Sequence, residues 1–382
     1  MQIFCKMHWV SIIMMIGVLF VFSSALEISK IHSSIKEIQE KEGKLQLTLI
    51  REWSGEDEVD ENKIFSEPKD VAISKEGEVF ILDKNRIQVF DKLGNYLRTI
   101  GRSGGGPGDF LNPIFLVIDN QNNLVVAEKD NHRIQILSSK GDYLGSFPLR
   151  DNLPGQVAST KKSEILMLNR IPTTKPSALW LYYDNQGQIL QENGQREGDA
   201  SDGVIARRYK FAFSLDKEDN IYAAAEYMPM LQKYSPAGEL LFESTFEVPF
   251  EVPEIKSFRT SEGVFIEAEP VTKAMNIDSK GRIFLLTLTR LKNLEERKIE
   301  WEWYFMSRTG EGGYTRHKVN FDVNPETDLY RILVFNKSGK VIASKNLNIY
   351  ANNIRIHEDR LFLIDSSVNM VIYEYKILVD LL

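Results

Sequence analysis

Short apolar runs and polar turns alternate along the chain between residues 68 and 147. Val79/Ile81 and Ile87/Val89 have the period of two expected of strands. Gly77 and Gly94 stand where tight turns need a permissive backbone. The pattern then repeats. Pro68-Lys69-Asp70-Val71-Ala72-Ile73, Val79-Phe80-Ile81-Leu82-Asp83 and Asn85-Arg86-Ile87-Gln88-Val89-Phe90 form the first copy. They return as Pro113-Ile114-Phe115-Leu116-Val117-Ile118, Leu124-Val125-Val126-Ala127-Glu128 and Asn131-His132-Arg133-Ile134-Gln135-Ile136. The prolines are 45 residues apart and the later glycines, Gly94 and Gly141, are 47 apart, so two residues are inserted around Asp130. Neither copy has long-helix periodicity. A unit of roughly 40–50 residues holding four short strands is one propeller blade.

Weaker copies follow, with turns at Lys161-Lys162-Ser163-Glu164, Glu218-Asp219-Asn220, Ser279-Lys280-Gly281 and Glu358-Asp359. They bring the count to six. The last unit ends too soon to hold a fourth strand, whereas Leu45–Trp53 is a strand with no blade of its own. Pairing the two closes a ring and covers an edge otherwise left open. The predicted fold is all-β: a six-bladed β-propeller over residues 45–382, with the N-terminal strand closing the last blade.

The Asn-Arg-Ile-Gln-Val-Phe segment at 85–90 and its copy at 131–136 resemble NHL-repeat propellers of the bacterial exported type. Val79–Asp83 fits the same motif, as does the loop from Gly101 to Phe110 before Pro113. The resemblance is close over 68–147 and loose over the other four blades, which lack the Asn-Arg-Ile core. It implies a fold. NHL-type propellers include protein-binding, RNA-binding, scaffold and lyase members, so it selects no activity.

Composition adds that the 382 residues carry 43% hydrophobic and 26% charged side chains, enough for a sizeable core. The net charge of −7 argues against nucleic acid as a partner. Cys5 is the single cysteine, so no disulfide forms within the chain. Lys6 and His8 precede an apolar run from Trp9 to Phe22, and Ser23-Ser24-Ala25 follows. Residues 1–25 therefore read as a secretory signal or, if retained, as a membrane anchor through 9–22. Either implies an exported protein: periplasmic, cell-surface or extracellular. Ile28, Ile31, Ile35 and Ile38 give 26–44 helical spacing, so this linker is either a short amphipathic helix or a solvated stalk.

The candidate chemistry is sparse. Arg86 and Arg133 share one repeat position, where a charge braces a turn or an adjacent carboxylate such as Asp83 or Glu128. Gly101–Gly108 lacks the Gly-Lys-Ser/Thr and following helix of a P-loop and reads as a connecting loop. Asp119–Asn123 lacks the glycine and terminal glutamate of a calcium loop and reads as a turn. Beyond the linker the histidines are His132, His317 and His357. Zinc-dependent amidating lyases of this fold class need several around the central channel. His132 and His357 belong to loops at opposite ends of that channel and cannot share a metal. There is no nucleophile elbow or Ser/His/Asp order.

The insertion at about 290–328 carries Trp301, Trp303 and Tyr304 in an alternating run and reads as a long hairpin. It serves as a partner surface or lid, or packs on its neighbours. The leading expectation is a binding or scaffold propeller rather than an enzyme, without cofactor or metal. Its ligand is a protein, peptide or carbohydrate. The loops between second and third strands form the ligand face, with Arg86, Asp130, His132, Arg170, Glu226, Tyr227, Arg290 and Trp303 as candidate contacts. The alternative is a calcium-type lactonase-like hydrolase or lyase, whose ligands would converge from several blades. A third reading is a membrane-tethered subunit of an envelope assembly.

Overall fold

A computed structural model describes residues 43–53, 64–149, 155–169, 178–195, 203–260, 263–267, 269–293, 296 and 326–380. The leader, nearly all of the 26–44 linker, Arg170, His317, Trp303 and the body of the 290–328 insertion lie outside the described residues.

The chain is a six-bladed β-propeller. Strand β1 (Gly43–Trp53) comes first. Blade 1 is β2 (Pro68–Ile73), β3 (Val79–Asp83), β4 (Arg86–Phe90) and β5 (Tyr96–Ile100). Blade 2 is β6 (Pro113–Ile118), β7 (Asn123–Glu128), β8 (Arg133–Ser138) and β9 (Tyr143–Pro148). Blade 3 is β10 (Val157–Ser159), β11 (Ile165–Leu168), β12 (Ala178–Tyr183) and β13 (Ile189–Gln195). A short helix, Gly203–Arg208, leads into blade 4: β14 (Phe211–Leu215), β15 (Ile221–Ala225), β16 (Met230–Tyr234) and β17 (Leu240–Thr245). An extra hairpin, β18 (Lys256–Thr260) and β19 (Gly263–Glu267), precedes blade 5. Blade 5 is β20 (Thr272–Ile277), β21 (Ile283–Leu288), β22 (Tyr330–Phe335) and β23 (Val341–Asn346). Blade 6 is β24 (Asn353–His357), β25 (Arg360–Asp365) and β26 (Val371–Asp380), completed by β1, which pairs antiparallel with β26.

Strand β1 starts two residues before the expected boundary, because Gly43 and Lys44 also pair in parallel with Ala343 and Ser344 of blade 5. The approach is close: a Cβ at Gly43 would meet the Asp380 carbonyl oxygen. Arg51 and Arg360 both converge on the buried Glu374 carboxylate, at 3.5 and 2.7 Å. The indole of Trp53 donates to the same group at 3.3 Å. The closing strand is thus held by backbone pairing and by one shared carboxylate.

The middle strands are continuous buried runs, with every residue of β3 and of β21 buried. The period of two is present, but both of its phases are apolar. In β7, Leu124 and Val126 pack toward blade 1, while Val125 and Ala127 pack toward blade 3. The core is six such clusters, one in each gap between neighbouring blades. Fully burying one Leu, Ile or Phe contributes about 1.5–3 kcal/mol. A blade alone, wet on two apolar faces, has no reason to fold.

The first strands β2, β6, β10, β14, β20 and β24 neighbour one another in a ring around the axis, and each pairs on its outer side only. Side chains from adjacent blades satisfy several of the inner backbone groups. Asp70 accepts from the Leu116 amide (3.0 Å) and Asn276 from the Ile356 amide (3.2 Å). The Gln156 amide both donates to and accepts from the backbone of Phe213. Asp70 is fully buried and takes Arg355 of blade 6 at 2.7 Å. Burial pushes its carboxyl above the ordinary range, an effect opposed by Arg355 and by the Leu116 and Val71 amides.

Replacing Arg355 by Met strands that carboxylate. The expected loss is about 3–5 kcal/mol in chemical denaturation at neutral pH. An upward-shifted carboxyl is tolerated best when protonated, so the deficit relative to the parent should shrink as pH falls toward 4. Adding Asp70→Asn should recover most of it.

Candidate functional site

The two faces of the ring are built differently. In blades 1 to 5 the first-to-second and third-to-fourth connections lie on one face and share one four-residue turn. In each, the first carbonyl accepts from the fourth amide, as Asp91 does from Gly94 and Asp278 from Gly281. The first side chain, an Asp, Asn, Ser or Thr, accepts further amides downstream: Asp119 from Gln121 and Asn123, Thr160 from Lys162 and Glu164. The fourth residue has positive φ even where it is not glycine, as at Asn122 (67°) and Ser163 (61°). The Asp119 stretch is therefore one of these turns.

The other face carries the second-to-third loops and the connections between blades. There the Gly101–Gly108 loop, the helix Gly203–Arg208, the β18–β19 hairpin and the 290–328 insertion all differ. Among the described residues of blades 1 to 5, the connections that differ lie on this face, which also surrounds one mouth of the central channel. On the turn face blade 6 alone departs, with a tighter hairpin at His357–Arg360.

A repeated clamp fixes the loops of blades 1 and 2. Buried Asp83 accepts the Ser66 and Glu67 amides at 2.8 and 2.6 Å, while Arg86 binds Asp83 and donates to the Ile64 carbonyl at 2.7 Å. In blade 2, buried Glu128 accepts from Leu111, Asn131, Arg133 and Gln135. Arg133 also donates to the carbonyls of Gly105, Gly106 and Asp109. The glycine-rich loop is thus wrapped around an arginine, with its carbonyls turned inward. In blade 6, Asp365 keeps only the amide-accepting half of the device, holding Ser367, Val368 and Asn369.

These contacts fix the placement of the expected site residues. Arg86 is engaged by its clamp. Asp130 is exposed and accepts from Asn112 at 3.2 Å. His132 is exposed on the loop face with φ 47°, and His357 lies at the turn face. Glu226 pairs with Lys210 at 2.9 Å, and buried Tyr227 beside it lies under Arg207 and Lys210 at 5.7 and 5.5 Å from its ring centroid. Arg290 donates to Glu296 and Asp328 and ties the two ends of the insertion together.

The structure therefore brings Glu226 and Tyr227 together and adds two cations that the sequence reading did not select, Arg207 and Lys210. On the facing side of the mouth, in blade 1, Lys69 reaches Asn112 at 2.9 Å and Glu67 at 3.8 Å, and Asn112 reaches on to Asp130. One signal for these residues was available: the positions flanking each first-strand start ring the mouth. Among the described residues no group of three or more His, Cys, Asp or Glu is arranged to hold a metal ion. No described helix is long and apolar enough to cross a membrane.

A family profile described as DUF5128, a 6-bladed beta-propeller, matches residues 58–138. The chain is 33% identical over 87 residues to Protein brain tumor of Drosophila melanogaster, covering 22% of this chain and 8% of that protein. It is 32% identical over 118 residues to "Probable peptidyl-alpha-hydroxyglycine alpha-amidating lyase pgal-1" of Caenorhabditis elegans, covering 28% of this chain and 33% of that one. The chain thus spans a third or less of the length of these relatives. Among solved structures, a member of the DUF4221 family from Bacteroides vulgatus aligns with 90% of this chain and all of its own. Its TM-score is 0.59 at 10% identity, which speaks for fold alone.

The Arg290 clamp yields a pH prediction. Its guanidinium holds the carboxyls of Glu296 and Asp328 below their ordinary values of 4.5 and 3.8. Depressed carboxyl pKa values contribute stability that is present above those ordinary values and lost as pH falls through the lowered ones. Hydrogen exchange at the Thr327 and Leu329 amides should therefore accelerate below about pH 4 beyond the intrinsic rate. Arg290→Gln should remove that pH dependence.

Proposed function

We propose that this chain is an exported, NHL-type binding propeller whose loop face, around the mouth of the channel, takes a polar protein, peptide or carbohydrate ligand. The asymmetry of the two faces carries this reading. One face repeats a single turn through five blades, whereas the described connections of the other differ in length and content, and function collects on varied loops set on a rigid scaffold. The mouth sets Lys69 with Glu67 in blade 1 opposite Lys210 with Glu226 in blade 4. Two charged pairs across a channel suit a ligand with polar groups at both ends. Asp130, His132 and Arg207 supply further polar contacts at the rim. Arg86 and Arg290 act in this reading by shaping the loops.

Export rests on the leader sequence, with residues 9–22 either cleaved away or kept as an anchor. The calcium-type hydrolase remains the competing activity.

Screening an array of peptides and of neutral and acidic oligosaccharides with the parent should give hits. Lys69→Ala with Lys210→Ala should lose those hits while keeping the thermal midpoint. Turnover of a lactone or peptidyl-hydroxyglycine substrate that is abolished by chelation would overturn the binding reading in favour of the enzyme.

A further inference from the structure

We propose that the turn face of the propeller rests on an anionic lipid surface, so that the loop face points away from the membrane. The first observation is where the N-terminal chain leaves the ring. The third strand of a blade runs from the loop face to the turn face, and β1 is antiparallel to β26, the third strand of blade 6. Gly43 is therefore at the turn face, and residues 1–42, with the apolar run 9–22, join the propeller there.

The second observation is charge. Although the whole chain is net negative, exposed lysines stand on the turn tips of five successive blades: Lys75 and Lys92, Lys140, Lys162, Lys217 and Lys337. Exposed acids share this face at Glu76, Asp142, Glu218 and Glu239, fewer than the lysines on the same five blades, and at Glu358, Asp359 and Asp380 on blade 6. Basic side chains near an anionic bilayer are attracted within about a Debye length.

The third observation is apolar exposure at the same end. Leu93, at a turn tip, is 71% exposed. One polar residue past the turn glycines, after Asp142, Gln188 and Glu239, the outer strands of blades 2, 3 and 4 begin with the exposed pairs Tyr143-Leu144, Ile189-Leu190 and Leu240-Leu241. Apolar side chains recurring around one rim, interleaved with lysines, match the boundary between lipid headgroups and acyl chains. The turn tips are also tied from blade to blade, Lys75 to Asn120 and Asn120 to Lys161, so they would meet a surface as one plate.

The test uses the full-length chain with Cys5→Ser and one new cysteine, at Leu93→Cys on the turn face or Leu111→Cys on the loop face. Each is labelled with a polarity-sensitive fluorophore and reconstituted into vesicles of phosphatidylglycerol and phosphatidylcholine containing a nitroxide lipid. The Leu93 probe should shift to the blue and be quenched, and the Leu111 probe should behave as in buffer. Pure phosphatidylcholine should weaken the Leu93 signal, and Lys92→Glu, Lys140→Glu, Lys162→Glu and Lys217→Glu together should abolish it with the thermal midpoint retained. Equal behaviour of the two probes overturns the proposal, as does a Leu93 probe that stays in water in anionic vesicles. A blue shift without lipid would assign the face to a second copy of the chain and also overturn it. None of these outcomes depends on whether the loop face binds a ligand.

Discussion

Closure of the ring is the constraint on which the rest of the structure depends. Each blade is apolar on both faces, so every gap between blades must be filled from both sides, including the gap between the last blade and the first. Trp53 and Phe65 pack on Phe90 in that final gap. The chain reaches this state by lending its first strand to its last blade. Antiparallel pairing from Lys44–Asp380 to Trp53–Ile372 does most of the holding. Glu374 adds a side-chain lock by gathering Arg51, Arg360 and Trp53. Because the two ends of the chain meet in one sheet, no gap can open without breaking that pairing.

Once the ring is closed, two sets of polar groups remain to be satisfied. At the axis, the unpaired inner edges would leave backbone amides without partners, and Asp70, Gln156 and Asn276 reach across from neighbouring blades to supply them. Asp70 does this while also binding Arg355, so one carboxylate joins blades 6, 1 and 2. At the periphery, each turn must reverse the chain in four residues. An oxygen-bearing side chain at its first position satisfies the amides, and a left-handed fourth residue completes the reversal. That solution depends only on reversing the chain, which is why it can recur through five blades. The loop face has no such uniform demand. Its connections are free to differ in length and content, provided that clamps such as Asp83–Arg86 and Glu128–Arg133 hold them.

Much of this was legible because it is local. The turn residues, the strand period and the aligned copies at 68–97 and 113–144 are short-range facts. The surplus strand at 45–53 matched the missing strand of the last unit, so closure was legible by counting. Arg86 and Arg133 could be read as braces because their carboxylates lie three and five positions away in the chain. The β18–β19 hairpin was not legible: it lies between units, where no repeat sets an expectation. The pairing of Arg355 with Asp70 was also hidden, since the two are 285 residues apart.

The sequence by itself determined the number of blades, the turns, the closing strand and the absence of any local catalytic motif. Each of these follows from backbone preference or apolar periodicity within a few tens of residues. Only the tertiary structure decided which charged side chains face outward and which are consumed internally. Arg290 and Arg86 look as available in the sequence as His132 does. Their partners are brought to them by strand pairing and by neighbouring loops, and a charge's availability depends on everything within a few ångströms of it. The closed ring thus settles where the polar contacts of the loop face stand, and composition and spacing alone do not.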